Sequence, residues 1–165
     1  MSRDSLPYRK NCEGYFVIED KILAKYTKEC YLVFPGGGVD ENEKPEDAVL
    51  RETFEETCAI IKEPIQKWGV VHFRWDKDWI KTEKQRKRFE IFQGEEMHFF
   101  YGTIEEFKEN CENYEDYWEG EKLMPISKAI ELIEKEKPFN ENIKDYREAQ
   151  LKFLRNITIS PSQNS

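Results

Sequence analysis

Six residues at fixed spacing carry the chemistry this sequence offers: Gly37, Glu43, Arg51, Glu52, Glu55 and Glu56. The stretch after Pro45 reads as a helix to Thr57, with Pro45 suited to its first position. Glu46 and Asp47 complement the positive end of its dipole. Three carboxylates, Glu52, Glu55 and Glu56, then fall on one face. Leu50, Phe54 and Thr57 fall on the other, where a sheet can cover them. Like charges on one helix face repel. A folded helix bears them when water or a cation compensates. Carboxylate oxygens suit a hard cation, and Mg²⁺ pairs a few carboxylates with substrate phosphates. Arg51 precedes Glu55 by four residues, the weaker order for helix support. It reads instead as a clamp that fixes a carboxylate rotamer.

The chain holds 26 Glu in 165 residues, so acidic clusters also arise by composition. Glu105-Glu106 and Glu134-Lys135-Glu136 read as solvated faces. The six-residue string differs, because random placement would produce it roughly 2 times in 10,000.

The elements that must position these residues read as follows. Glu13–Ile18 and Lys21–Tyr26 form a hairpin turning at Glu19-Asp20. Tyr31–Pro35 is a short strand, and Gly36-Gly37-Gly38 a flexible corner. Lys67–Phe73 and Met97–Ile104 are strands, separated by a charged, Trp-bearing stretch, Arg74–Gly94. Leu123–Ile126 is another short strand. Ser127 caps a helix running to about Lys137, and Asn142–Arg155 is a last helix. Strands first, a helix in the middle and helices at the end predict an α+β fold, an α/β/α sandwich. One domain, residues 8–157, accounts for the chain, with flexible ends at 1–7 and 158–165.

Here the sequence resembles the Nudix hydrolase family, whose signature is G-x5-E-x7-R-E-U-x-E-E-x-G-U, with U aliphatic. Gly37, Glu43, Arg51, Glu52, Glu55 and Glu56 match it. Thr53 stands where an aliphatic residue is usual, Cys58 where the second glycine is usual, and Ala59 at the final aliphatic position. The resemblance implies a mixed sheet between helices, with a loop–helix–loop catalytic motif. It implies that Glu52, Glu55 and Glu56 bind a divalent metal, Mg²⁺ or alternatively Mn²⁺, with the Gly37 carbonyl as a further ligand. It assigns Glu43 to loop support and Arg51 to orienting a glutamate. A side chain at Cys58 disfavours a left-handed helix cap, so the turn there is expected to be reshaped. The general base is Glu52, Glu55 or a glutamate from a distant loop, Glu95 or Glu96.

The implied reaction is hydrolysis of the pyrophosphate linkage in a nucleoside diphosphate joined to another group. A nucleoside triphosphate, normal or oxidised, giving monophosphate and pyrophosphate, is the leading substrate. Nucleotide sugars, dinucleoside polyphosphates and a non-catalytic nucleotide-binding role are the alternatives. Residues 74–88 hold seven basic and three acidic side chains, a net of +4. Arg74, Trp75, Arg86 and Arg88 are candidates for gripping phosphates and a base. Arg9 and Lys10 could reach a phosphate, although surface pairs of this kind usually serve solubility. Tyr15, Phe16, Phe99 and Phe100 read as core, and His72 and His98 as structural histidines.

The net charge of −8 argues against a nucleic-acid coat, while leaving an RNA cap open as substrate. The longest uncharged stretches run ten residues, too short to cross a membrane. Residues 1–5 hold no apolar run, so no signal peptide is expected. Four cysteines without C-x-x-C spacing read as reduced core thiols, so a cytoplasmic location is expected. An exposed strand or the last helix leaves a homodimer open.

Overall fold

The computed structural model describes residues 2–159. Its centre is a seven-stranded mixed sheet with helices on both faces. The strands are β1 (Tyr8–Ile18), β2 (Lys21–Leu23), β5 (Gly36–Gly38), β6 (Ala59–Ile61), β7 (Gln66–Arg74), β8 (Gly94–Phe107) and β9 (Leu123–Pro125). A separate two-stranded piece pairs β3 (Lys25–Tyr26) with β4 (Leu32–Val33). The helices are α1 (Pro45–Thr57), α2 (Glu83–Ile91), α3 (Ile126–Glu134) and α4 (Lys144–Ile159). The order across the sheet is β6-β8-β1-β2-β9, with β5 also on β1 and β7 also on β8. β1 and β8 run parallel, in register from Tyr8↔Gly94 to Val17↔Thr103. The other pairings are antiparallel, so the sheet is mixed, as expected for the fold.

Strand alternation divides the core. Tyr15, Val17 and Phe99 point to one face, under α3 and α4. Cys12, Phe16 and Phe100 point to the other, against Ala48 and Val49 of α1. The four aromatic residues read as core are buried there. α1 occupies its expected span, but its buried face is Ala48, Val49, Thr53 and Thr57. Phe54 instead meets the Tyr114 ring edge-on at 5.9 Å.

Several expectations change where backbone pairing outweighs the apolar pattern. β1 begins at Tyr8 rather than Glu13, because its polar first turn pairs with β8. Gly36–Gly38 is a strand on β1, not a corner. The stretch after Arg74 contains a 3₁₀ turn, Lys77–Trp79, and α2, which a Thr82–Gln85 capping box starts. α3 starts directly after Pro125, so Ser127 does not cap it. Residues 1–7 were expected to fray. Instead Arg3–Ser5 forms a 3₁₀ turn, and Arg3 donates to the carbonyls of Phe89 and Phe92. The predicted tail from Thr158 is helical through Ile159, and its remainder lies outside the described residues.

The expectation of four thiols is also corrected. Cys58 and Cys111 form a disulfide with their Cα atoms 6.0 Å apart, across a sequence separation of 53. No spacing rule connects those positions; the fold brings them together. Cys12 remains a buried thiol, pushed up to about 12 by burial. Among the described residues, no helix is long and apolar enough to cross a membrane.

Candidate active site

α1 lies against β1 and β5, and its glutamates reach the glycine strand. Gly37 lets the Glu52 carboxylate lie close, since a Cβ there would stand 2.9 Å from the carboxylate carbon and displace it. The Gly36 N–H donates to Glu56 Oε1 at 2.9 Å. Burial pushes the Glu56 carboxyl up to about 8, and the charges of Glu52 and Asp116 add to the rise. The Gly36 hydrogen bond opposes it. Glu52 is raised too, first by burial, with Arg51 opposing and Glu55 and Asp116 adding.

Arg51 organises the acidic residues around it. Its Nε and Nη2 form a fork on Glu43 at 2.9 and 3.0 Å. Its Nη1 reaches Glu52 at 3.1 Å and Glu55 at 3.4 Å, and Asp40 lies 3.4 Å from Nη2. Nη2 also donates to the Gly38 carbonyl at 3.4 Å. Glu43 accepts in addition from the Asp40 N–H at 3.0 Å. The Arg51 guanidinium holds the Glu43 carboxyl below its usual range. Glu43 therefore ties the loop before α1 to the helix through Arg51.

A cavity of about 400 Å³ opens beside this cluster. Glu52, Glu56, Asp40 and Asp116 line it together with Gly36–Gly38 and three cations, Arg9, Lys84 and Arg88. A second cavity of about 360 Å³ shares Arg9, Gly36, Gly37 and Glu56 with the first. It extends along the sheet to Glu13, Glu95, Met97, Phe34, Trp118 and Tyr146. Burial pushes Glu95 up to about 7, against the pull of Arg9 and Arg88.

The loop after β8 closes the carboxylate side. The Trp118 N–H donates to the Glu56 carbonyl at 2.8 Å, and the Lys108 N–H to the Cys58 carbonyl at 2.8 Å. Cys58 itself adopts the left-handed conformation at φ 64° and ends α1, with its N–H on the Phe54 carbonyl. The side chain did not prevent that cap. The Lys108 hydrogen bond and the Cys111 bridge hold the turn in place.

The structure thus brings Gly37, Glu52 and Glu56 to one cavity and keeps Glu55 on Arg51. Of the four residues expected to bind substrate, Arg88 alone lines that cavity. Trp75 is buried and stacks on Trp79 at 3.7 Å, which leaves no free indole face for a base. Arg74 pairs with Asp4 at 2.5 Å, and Arg86 pairs with Glu83 and Glu90. Glu95 and Glu96 were placed before a strand, but both lie inside β8, so their side chains point to opposite faces. Glu95 lines the second cavity. Glu96 accepts from His72 and His98 at 3.0 and 2.8 Å on the other face, the one it shares with Phe100.

Sequence reasoning missed Asp116, which sits in an acidic, aromatic loop with no fixed spacing to α1. The one sequence signal for it was Cys111 nearby. Arg9 was set aside as a surface residue, and Lys84 was one cation among seven in its segment.

Residues 8–146 match the family described as NUDIX domain. An RNA pyrophosphohydrolase from Bartonella bacilliformis is 38% identical over 84 residues, 42% of this chain and 49% of that protein. The chain therefore spans about half the length of that relative. A NUDIX hydrolase from Nitrosomonas europaea has a similar fold, with a TM-score of 0.58 at 15% identity over 86% of this chain and 90% of that one. A Bacillus subtilis pyrophosphohydrolase gives 0.58 at 18% identity over 96% and 87%. With the family match running from the start of β1 into α4, over the glycine strand and the carboxylate helix alike, this chain belongs to the Nudix family.

Proposed function

We propose that the protein hydrolyses the pyrophosphate linkage of a nucleoside diphosphate joined to another group. The leading substrate is a nucleoside triphosphate, cleaved to monophosphate and pyrophosphate. The observation that carries this reading is one cavity lined by both carboxylates and cations. A phosphate chain with its counter-cation complements both.

Among the described residues, no three His, Cys, Asp or Glu side chains stand as a ready-made metal cluster. The donor chemistry nonetheless fits a hard divalent ion. Glu52, Glu56 and Asp116 share one cavity, all donors are oxygens, and burial, with smaller contributions from neighbouring carboxylates, raises Glu52 and Glu56. Glu52 and Glu56, with the Gly37 carbonyl, would hold Mg²⁺ or Mn²⁺; Glu55 would join them on release from Arg51. When bound, the ion supplies Lewis acidity at the phosphate oxygens. The chain's own contribution is positional. The Gly36 N–H orients Glu56, Arg51 orients Glu52 and Glu55, and Glu43 fixes Arg51. Glu52, Glu55 and Glu95 are the candidates for accepting a proton from the attacking water. Glu96, a further candidate from the sequence, lines neither cavity and is held by His72 and His98.

The test is turnover by the purified chain with Mg²⁺ and a panel of nucleoside triphosphates, nucleotide sugars and dinucleoside polyphosphates. The variants Glu55→Gln and Glu56→Gln run beside it. Phosphate release that falls at least a hundredfold in Glu56→Gln supports the reading. Tight, metal-independent binding without turnover of any compound would replace it with a nucleotide-binding role. A second reading is the same cleavage at a triphosphate-ended RNA. It is favoured by the partial similarity to a protein named RNA pyrophosphohydrolase. A triphosphate-ended oligonucleotide in the same panel separates the two.

A further inference from the structure

Three cations line the cleft. Among the described residues, Arg9, Lys84 and Arg88 form no ion pair within 4.0 Å, whereas Arg51, Arg74, Arg86 and Arg147 all do. Arg9 projects from β1 and donates to Asn11 Oδ1 at 2.7 Å. Its guanidinium occupies the space over Gly38, where any Cβ would collide with it. Lys84 and Arg88 lie four residues apart on α2, hence on one side of that helix. Arg88 is close enough for its charge to oppose that of Arg9. Glu95 offsets part of that repulsion, and a bound anion would relieve the rest.

Elsewhere on α2, Arg86 is ion-paired, Lys87 is not, and the end of the helix is anchored. Arg86, on its outer side, is covered by Glu83 and Glu90. At its end, Arg3 donates to the Phe89 carbonyl and, at 2.9 Å, to the Phe92 carbonyl. The Arg3 guanidinium also lies 3.4 Å over the Phe89 ring. The N-terminal turn therefore locks α2 to the strand that carries Arg9. On α2, Arg86 is held by ion pairs, while Lys84 and Arg88 line the cleft with no ion pair within 4.0 Å, Arg88 acting on Glu95 only at longer range.

We infer that Arg9, Lys84 and Arg88 are the specificity-determining residues of this site, and that they read a terminal phosphate. This rests on the pyrophosphohydrolase reading of the same cleft. A terminal phosphate carries close to two negative charges near neutral pH, and a bridging phosphate about one. The carboxylates and their cation serve the linkage that is cut. Three further cations suit a substrate with a phosphate beyond that linkage, and guanidinium forks fit its oxygens. The site is thus built for a triphosphate end, in preference to a diphosphate closed by a sugar. Arg3 is a positioning residue that acts through α2.

The experiment has two readouts on the full chain. The first is steady-state kinetics with Mg²⁺ on a nucleoside triphosphate, a triphosphate-ended RNA oligonucleotide and a nucleotide sugar. The second is calorimetric binding of inorganic tripolyphosphate and of pyrophosphate without metal. Variants are Lys84→Gln, Arg88→Gln, Arg88→Lys and Arg3→Ala, with Lys128→Gln on α3 as a charge-matched control and thermal melts to establish folding. Lys84→Gln and Arg88→Gln should each raise KM for a triphosphate end about tenfold. They should weaken tripolyphosphate binding by a similar factor and leave KM for the nucleotide sugar within about twofold. Arg88→Lys should recover part of the loss. Arg3→Ala should raise KM with kcat unchanged. Turnover of the free nucleotide or of the RNA end identifies the source of the triphosphate. Equal KM increases for triphosphate and sugar substrates, or none, overturn the inference while the hydrolase reading stands. Tripolyphosphate binding lost in these variants, with no turnover of any substrate by the native chain, upholds the phosphate reader and overturns the hydrolase. Neither binding nor turnover overturns both.

Discussion

Arg51 touches more acidic side chains than any other described group in the cleft, and it touches them with a planar fork. Four carboxylates, Asp40, Glu43, Glu52 and Glu55, lie within 3.4 Å of it. Removing it frees Glu52 and Glu55 to choose other rotamers and detaches the loop held by Glu43. Arg51→Ala is expected to lower kcat/KM about 10- to 100-fold, the range for residues that orient a metal ligand. Arg51→Lys keeps the charge but not the fork, and should recover only part of the activity in the same assay. Glu95 gives a second prediction at this scale. Burial holds its carboxyl at about 7, above its ordinary value of 4.5. Between those values the folded chain binds more protons than the unfolded chain. Its contribution to stability is therefore fully present below pH 4.5 and is lost as pH rises through 7. The urea midpoint of the native chain should fall across that window more steeply than that of Glu95→Gln. Parallel curves would show that Glu95 titrates normally.

The end of α1 is where an element depends on a distant loop. Cys58 holds a left-handed turn that glycine would adopt without strain. Its bridge to Cys111 anchors the loop that delivers Asp116 and Trp118. Closing a loop of this length stabilises by up to roughly 4 kcal/mol through the unfolded chain. Cys111→Ser should therefore lower stability by a few kcal/mol at most, measured by urea denaturation, and dithiothreitol should have the same effect on the native chain. Cys58→Gly loses the bridge but relaxes the turn, so its loss should be the smaller of the two. If dithiothreitol leaves the native midpoint unchanged, the bridge contributes nothing to this loop.

Across the whole molecule, α4 is tied to the sheet by a buried polar network directly behind the second cavity. Glu13 on β1 accepts from Tyr15 and Gln150 at 2.8 Å each, and from Tyr146. Burial pushes the Glu13 carboxyl up, and those three donors oppose it. Arg147, fully buried, pairs with Glu136 at 2.9 Å and donates to Gln150 at 2.6 Å. Arg147→Ala should cost about 2–4 kcal/mol of unfolding free energy, because the buried Gln150 amide oxygen and Leu32 carbonyl lose their donor and a cavity is left. Charge at this scale makes a kinetic prediction too. Net charge is −8, yet the cleft presents three cations to an anionic substrate. KM should therefore rise with added NaCl, and the rise should flatten in Arg88→Gln.

The sequence by itself determined the parts whose physics is local. Helix periodicity placed Glu52, Glu55 and Glu56 on one face of Pro45–Thr57, and residue spacing singled out Gly37, Glu43 and Arg51. Those readings survive because a helix face depends on neighbours three and four residues away. The tertiary structure decided what depends on strand pairing and loop closure. Parallel pairing of β1 with β8 set Glu95 in the second cavity and Glu96 on the opposite face, since a one-residue step reverses the face of a strand. It also set Arg9 beside an α2 that local sequence gave only as a charged stretch. The same holds for Trp75, whose burial beside Trp79 no local pattern announces, and for Asp116, delivered across a bridge spanning 53 residues. Long-range contacts have no period in the chain, so they become visible only once the fold has formed.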